Sequence, residues 1–259
     1  VLVTGGSGGL GRAIARAFAR AGAEVVICAR GAAALEQTAD ELRGVGCRVT
    51  PITADITCDD QVARLVDDVN ERFGRLDVLV NNAGRSMRGR AIETSADDFH
   101  DLLEINLLAT VRSTQAAIPL LRESGGHIVN IGSLAGKAAS RFLGAYPASK
   151  HAVTAYTQQL RLELADEGVH VMLVCPGPIA RADSGTRYDE PTENLPVEAT
   201  KPGGGVKTGL IAPDRLAEMI VRGCDRRSAE LVVPGRARLL FAIAQLSAGW
   251  GDWLVRRFT

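Results

Sequence analysis

Apolar positions along this chain fall into two alternating kinds of run. Short stretches rich in β-branched and aliphatic residues recur at 1–3, 24–29, 48–53, 78–81, 127–131, 170–175 and 230–233, and predict seven strands. Between them, longer stretches with helical periodicity predict helices at 9–21, 32–45, 59–73, 96–123, 146–167 and 214–226. Ser95 ahead of Asp97-Asp98, and Pro213-Asp214 opening the last of these, are helix-start signals. The alternation repeats a βαβ unit, which favours a parallel sheet covered by helices on both faces. The expected architecture is a doubly wound α/β fold. No Pro/Ser-rich linker or shift of composition divides the chain, so residues 1–259 are expected to form one domain.

The rhythm breaks at 178–212, which carries Pro178, Pro191, Pro196, Pro202 and Gly203-Gly204-Gly205. So long an irregular insertion is either a functional lid or a disordered segment. Its position directly after the strand ending at Cys175 favours a substrate lid.

Three places carry candidate chemistry. Thr4-Gly5-Gly6-Ser7-Gly8-Gly9-Leu10-Gly11 lies between the first strand and first helix, where a glycine turn presents backbone N–H groups to a pyrophosphate. Arg12 and Ala13 stand where a mononucleotide loop would need Lys and Ser/Thr, so dinucleotide binding is the better reading. The second strand ends Cys28-Ala29-Arg30 with no carboxylate for a ribose 2′-hydroxyl, and Arg30 instead suits the 2′-phosphate of NADP. A solvated arginine at a strand end is the plainer alternative. Asp55, just past the third strand, is placed to accept from an adenine amino group, although Asp is also common in turns. Further on, Tyr146 and Lys150 stand four residues apart on one helical face, where an ammonium favours the ionised phenol and makes it a usable general acid/base. A chance pair on a solvated face has the same spacing.

Together these residues resemble the short-chain dehydrogenase/reductase family over nearly the whole chain. Thr4, Gly5, Gly9 and Gly11 meet its glycine pattern, and Asn81-Asn82-Ala83-Gly84 its fourth-strand motif. Asn106, Ser133, Tyr146 and Lys150 fall on its catalytic tetrad, and Pro176-Gly177 on the turn beside the nicotinamide. The resemblance implies a three-layer, Rossmann-like single domain that interconverts a carbonyl and a secondary alcohol with NADP(H). Tyr146 would be the general acid/base, Ser133 would hold the substrate oxygen, and Lys150 would bind the nicotinamide ribose and tune Tyr146. Asn106 would hold a relay water. Cofactor contacts would come from Gly5, Ser7, Gly8, Gly9, Leu10, Gly11, Arg30, Asp55, Ile56, Asn82, Ala83, Gly84, Tyr146, Lys150, Pro176, Gly177 and Ile179. One position departs from the family: Arg181 occupies the place of a threonine that binds the nicotinamide carboxamide, so that role is not carried over, and Ser184 is a candidate substitute. Pro147 suits a first helical turn.

Thirty basic and thirty acidic residues argue against a nucleic-acid surface and for small-molecule partners. Five scattered cysteines without a Cys-x-x-Cys indicate neither a disulfide framework nor a zinc site, and His100, His127, His151 and His170 lack metal-ligand spacing. A cytoplasmic setting fits, although the chain starts at Val1 inside a strand and leaves an upstream targeting segment open. Ser133 is not in Gly-x-Ser-x-Gly, which removes a serine hydrolase. An NADP-sensing scaffold without turnover is the alternative from another class, and the full tetrad argues against it.

The segment 235–258 joins a row of apolar residues, including Trp250 and Trp253, to arginines at both ends. It reads as core, a subunit interface or a membrane-surface helix, with Gly249 and Gly251 expected to interrupt it. Together with Ala138-Ala139 and Phe142-Leu143 it points to a hydrophobic ketone of lipid, steroid or 3-oxoacyl type. For an acyl carrier, Arg85, Arg88 and Arg90 are the candidate basic surface. By family habit the chain is expected to be a homodimer or homotetramer through helices at 97–123 and 146–167.

Overall fold

Neighbouring residues within each strand point to opposite faces of the sheet, and here both faces are apolar. Val3, Ile27, Val80, Val129 and Met172 pack into one core layer. Their sequence neighbours Leu2, Val26, Leu79, Ile128 and Val171 pack into the other. In the computed structural model, which describes residues 1–180, 195, 196, 199 and 209–258, the strands are β1 (Leu2–Thr4), β2 (Val25–Ala29), β3 (Val49–Thr53), β4 (Val78–Asn81), β5 (His127–Ile131), β6 (His170–Pro176) and β7 (Glu230–Val233). They form one parallel sheet in the order β3-β2-β1-β4-β5-β6-β7.

Helices α1 (Gly9–Arg20), α2 (Ala32–Gly44) and α7 (Pro213–Asp225) cover the first face through residues such as Ile14, Leu35 and Leu216. The second face is covered by α3 (Asp59–Phe73) and α5 (Ala109–Ser124), with Leu65 and Leu121 among the contacts. α4 (Ala96–Leu103) opens on the capping box of Ser95 with Asp98, and α6 (Tyr146–Glu163) has Pro147 in its first turn. Strand order reverses between β1 and β4, so a crevice opens at their carboxyl ends, where doubly wound folds bind ligands.

The expected helix at 96–123 is not continuous. A π-helical turn, Glu104–Leu108, separates α4 from α5. Such turns widen the backbone locally and occur frequently at functional sites, and this one contains Asn106. The C-terminal segment is two helices, α8 (Ala237–Leu246) and α9 (Ala248–Phe258). The break falls at Ser247, which is extended at φ −154°, and not at Gly249 or Gly251. Gly251 instead lets the helices touch: a Cβ there would lie 2.9 Å from the Cα of Ala244.

At the opposite end of the sheet from the crevice, the rings of His127 and His170 meet edge to face with centroids 5.3 Å apart. Burial lowers the pKa of His127 below 6.5, and the charges of His170 and Arg227 lower it further. The unfolded chain therefore takes up a proton near pH 6.5 that the folded chain refuses. Stability is full above that pH and falls as pH drops through the folded pKa. Urea unfolding at pH 7.5 and 5.5 is expected to show this loss, and His127→Gln to reduce it. An unchanged pH slope in the variant would place the titration elsewhere.

Candidate active site

The crevice begins with a turn that needs glycine at two positions, 5 and 11. Gly5 has φ +67° and packs against Ala83, while a Cβ on Gly11 would stand 2.1 Å from the carbonyl oxygen of Gly5. The start of α1 has neither a capping side chain nor an acidic residue in its first turn. Its N–H groups and positive dipole end are thus available to an anion. Thr4 ties this turn to β4: its hydroxyl accepts from the N–H groups of Asn82 and Ala83, both at 3.1 Å. The Asn82 amide donates back to the carbonyls of Thr4 and Gly5 at 2.9 and 3.2 Å.

The resulting cleft has a volume of about 780 Å³. Its lining brings together twelve of the predicted cofactor residues: Gly5, Ser7, Gly8, Gly9, Leu10, Gly11, Arg30, Asp55, Ile56, Asn82, Ala83 and Gly84. Arg30 is 72 % exposed in its side chain and reaches within 4.0 Å of the Asp55 carboxylate. Burial raises the Asp55 pKa, but hydrogen bonds from the Thr57 N–H and hydroxyl, with the charge of Arg30, outweigh it and hold the carboxyl below its usual range.

The cleft is also lined by Arg12 and Arg16, which sequence reasoning missed. Arg12 is ion-paired with Glu41 at 2.8 Å, and Arg16 with Asp214. Helical spacing puts residues 12 and 16 on one face of α1 but does not say which way that face turns.

Gly84 is the seam between this cleft and a second polar cluster. A Cβ there would lie 2.5 Å from Oδ1 of Asn106 and 3.7 Å from Nζ of Lys150. Asn106 accepts from the N–H of Arg85 at 2.9 Å, and its amide donates to the Arg85 carbonyl at 3.0 Å and to the Ser149 hydroxyl at 2.9 Å. Ser149 in turn donates to the carbonyl of Tyr146 at 2.8 Å. Both amide hydrogens of Asn106 are thereby used, in clamping the loop after β4 to the first turn of α6. Lys150 is buried and donates to the carbonyl of Ile131, at the end of β5, at 2.7 Å. Burial pulls its pKa down to about 8, partly opposed by Cys175.

Ser133 follows β5 in extended conformation, and its hydroxyl accepts from the Ala135 N–H at 3.1 Å. Cys175 beneath it is pushed up to about 12, chiefly by burial, and stays a neutral thiol. The π-helical turn, β5 and α6 thus converge Asn106, Ser133, Lys150 and the helix start bearing Tyr146 at one end of the sheet.

Pro176 ends β6, Gly177 donates to the Val233 carbonyl at 2.7 Å, and Ile179 pairs with Ile211. Arg181 and Ser184 lie outside the described residues, as does most of 178–212. The ends of that segment are joined by two hydrogen bonds, Ile211 N–H to Pro178 and Ala180 N–H to Ile211, at 2.8 and 2.9 Å. Arg88 is not the surface residue expected of a carrier-docking patch. It is 6 % exposed, and its Nε donates to the carbonyl of Ala199 at 2.8 Å. Arg85 and Arg90 are ion-paired with Asp101 and Glu93.

The family model described as short chain dehydrogenase matches residues 1–192. A putative ketoacyl reductase of Streptomyces coelicolor is 36 % identical over 97 % of this chain and 97 % of its own. Ketoacyl reductase HetN of a Nostoc species is 32 % identical over 100 % of this chain and 88 % of its own. Among solved structures, an actinorhodin polyketide ketoreductase with NADPH has a TM-score of 0.79 at 33 % identity, covering 90 % of this chain and 94 % of that one. An L-sorbose reductase of Gluconobacter frateurii, complexed with NADPH and L-sorbose, has a TM-score of 0.78 at 26 % identity, covering 90 % and 93 %.

Proposed function

Because this chain belongs to the short-chain dehydrogenase family and is an oxidoreductase, we propose that it uses NADP(H) to interconvert a hydrophobic ketone and its secondary alcohol. The observation that carries this reading is the convergence at Gly84 of a glycine-lined cleft with the Asn106, Ser149 and Lys150 cluster behind Tyr146. When bound, the dinucleotide supplies or accepts a hydride.

The glycine turn and the N-terminus of α1 hold its pyrophosphate, and Arg30 takes the 2′-phosphate. Tyr146 gives its phenolic proton to the carbonyl oxygen in reduction and takes it back in oxidation. Ser133 hydrogen-bonds the same oxygen. Lys150, its ammonium penalised by burial, gains from any negative charge on the Tyr146 oxygen and so makes that proton easier to release. Asn106 positions the loop and the first turn of α6, and any relay water is held beside that bonded amide. Segment 178–212 acts as the substrate lid, a role supported by its joined ends beside the cleft and by the grip of Arg88 on Ala199. Assembly as a homodimer or homotetramer through the helices within 97–123 and 146–167 is carried over from the family.

A 3-oxoacyl thioester as substrate is favoured by the two ketoacyl reductases that match along nearly the whole chain. The test is NADPH oxidation, followed by absorbance, against simple ketones, long-chain 3-oxoacyl thioesters, steroids, quinones and polar ketoses. Turnover of the thioesters alone identifies that class, and turnover confined to polar ketoses overturns the hydrophobic assignment.

The cofactor reading also separates two glycines. A Cβ on Gly8 meets nothing within 4 Å, and its φ of 175° suits any residue. Gly8→Ala should therefore leave the melting temperature unchanged and weaken NADPH binding. Gly11→Ala, which meets backbone at 2.1 Å, should destabilise the free protein by about 1–3 kcal/mol or more. Normal NADPH affinity in Gly8→Ala would mean that the pyrophosphate does not lie on this turn.

A further inference from the structure

We propose that Ser149 is a positioning residue for the reaction: its buried hydroxyl ties the backbone of Tyr146 to the wall of the cofactor cleft and so sets where the phenol stands. The inference rests on Tyr146 being the proton donor proposed above. Ser149 is 0 % exposed and Asn106 1 %. A serine hydroxyl has one hydrogen to give and lone pairs to receive, and both kinds are used here. The hydrogen goes to the Tyr146 carbonyl at 2.8 Å, and the oxygen accepts from the Asn106 amide at 2.9 Å.

The two partners of that hydroxyl belong to different elements. Asn106 stands on the π-helical turn and brackets Arg85, accepting from its N–H and donating to its carbonyl. Arg85 and Gly84 line the cofactor cleft, and the close approach of Asn106 Oδ1 to Gly84 leaves no room for a Cβ. A continuous run of bonds thus joins the cleft wall, through Asn106 and Ser149, to the residue that carries the phenol. In an α-helix the Tyr146 carbonyl already has the N–H of residue 150 as its regular partner, and a serine bonding back to the preceding turn does not strengthen a helix. The link to Asn106 is what the hydroxyl adds.

Lys150, the next residue, is held separately. Its ammonium donates to the carbonyl of Ile131, at the end of β5, at 2.7 Å. The two members of the acid/base pair therefore have different anchors, the backbone of Tyr146 on the π-helical turn and the ammonium of Lys150 on the sheet. Removing the Ser149 hydroxyl frees one anchor and leaves the other, so the phenol shifts against both the ammonium and the substrate carbonyl. Proton transfer is sensitive to such shifts, a misplacement of about 1 Å costing up to about 10²-fold in rate. The Asn106 bonds to Arg85 do not pass through Ser149, so the cleft wall keeps its shape.

Ser149→Ala is expected to lower kcat for the ketone that the substrate panel identifies by about 10- to 10²-fold, with its KM and the NADPH affinity little changed. The decisive comparison repeats the substitution in Tyr146→Phe, whose residual turnover is read at high enzyme concentration. With no phenol to place, Ser149→Ala should cost nothing further there. An equal fold loss in both backgrounds overturns the proposal, because Ser149 then acts on something other than the phenol. A parallel loss of NADPH affinity also overturns it, by making Ser149 a support of the cleft. Full turnover in Ser149→Ala beside a disabled Tyr146→Phe overturns it and leaves the role of Tyr146 intact, whereas full turnover in Tyr146→Phe removes that role and the proposal with it. If Ser149→Ala fails to fold, Ser149→Cys, close in shape but a weaker donor, decides by the same comparison.

Discussion

Replacing Tyr146 with phenylalanine is expected to lower the turnover of ketone reduction by about 10²- to 10⁴-fold, the usual contribution of a positioned general acid, with NADPH affinity unchanged. The ring hydroxyl is the one group lost. The packing of α6 stays, because Ser149 bonds the Tyr146 backbone carbonyl and not its ring. The Lys150 hydrogen bond to Ile131 also remains. Steady-state kinetics alongside an NADPH binding titration separates the two effects. A variant that keeps full turnover would remove Tyr146 from the chemistry, and a parallel loss of NADPH affinity would make its role one of cofactor binding.

Arg30→Asp is expected to weaken NADPH binding by about 10- to 10²-fold, the loss of a hydrogen bond between charged groups, and to leave NADH binding little changed. The new carboxylate would repel a 2′-phosphate. It would also stand where a ribose 2′-hydroxyl acceptor is found in NAD-binding turns. Arg30 is mostly exposed and its nearest acid, Asp55, is 4.0 Å away, so the substitution breaks no buried contact and stability should hold. Equal affinity changes for NADPH and NADH would refute the phosphate role and leave Arg30 a solvated strand-end residue.

The sheet was legible because its strands are buried on both faces, and their aliphatic runs stand out against the helical periodicity. Strand ends moved by no more than one residue, as at Leu2–Thr4 and His170–Pro176. The cleft was legible for a related reason. Gly5 and Gly11 are required by close backbone approach, and residue type alone records that requirement.

Features set by tertiary contact were not legible. The π-helical turn at Glu104–Leu108 has no Gly or Pro to mark it. Gly251 looked like a helix breaker, yet it sits within a helix because another helix crosses it. Arg88 belongs to an arginine-rich loop that reads as solvated, and only the fold shows its guanidinium turned inward to Ala199. Arg12 and Arg16 entered the cleft from a helix face whose orientation the pattern alone did not specify.

Hydride transfer between a nicotinamide and a carbonyl carbon is the central step proposed for this site. The most direct test is to supply NADPH deuterated at the transferring position of C4 with whichever ketone is turned over, and to locate the label by mass spectrometry. One deuterium on the carbinol carbon of the alcohol is the predicted result. An unlabelled alcohol formed while NADPH is consumed would contradict the account, because the hydrogen would then have come from another source.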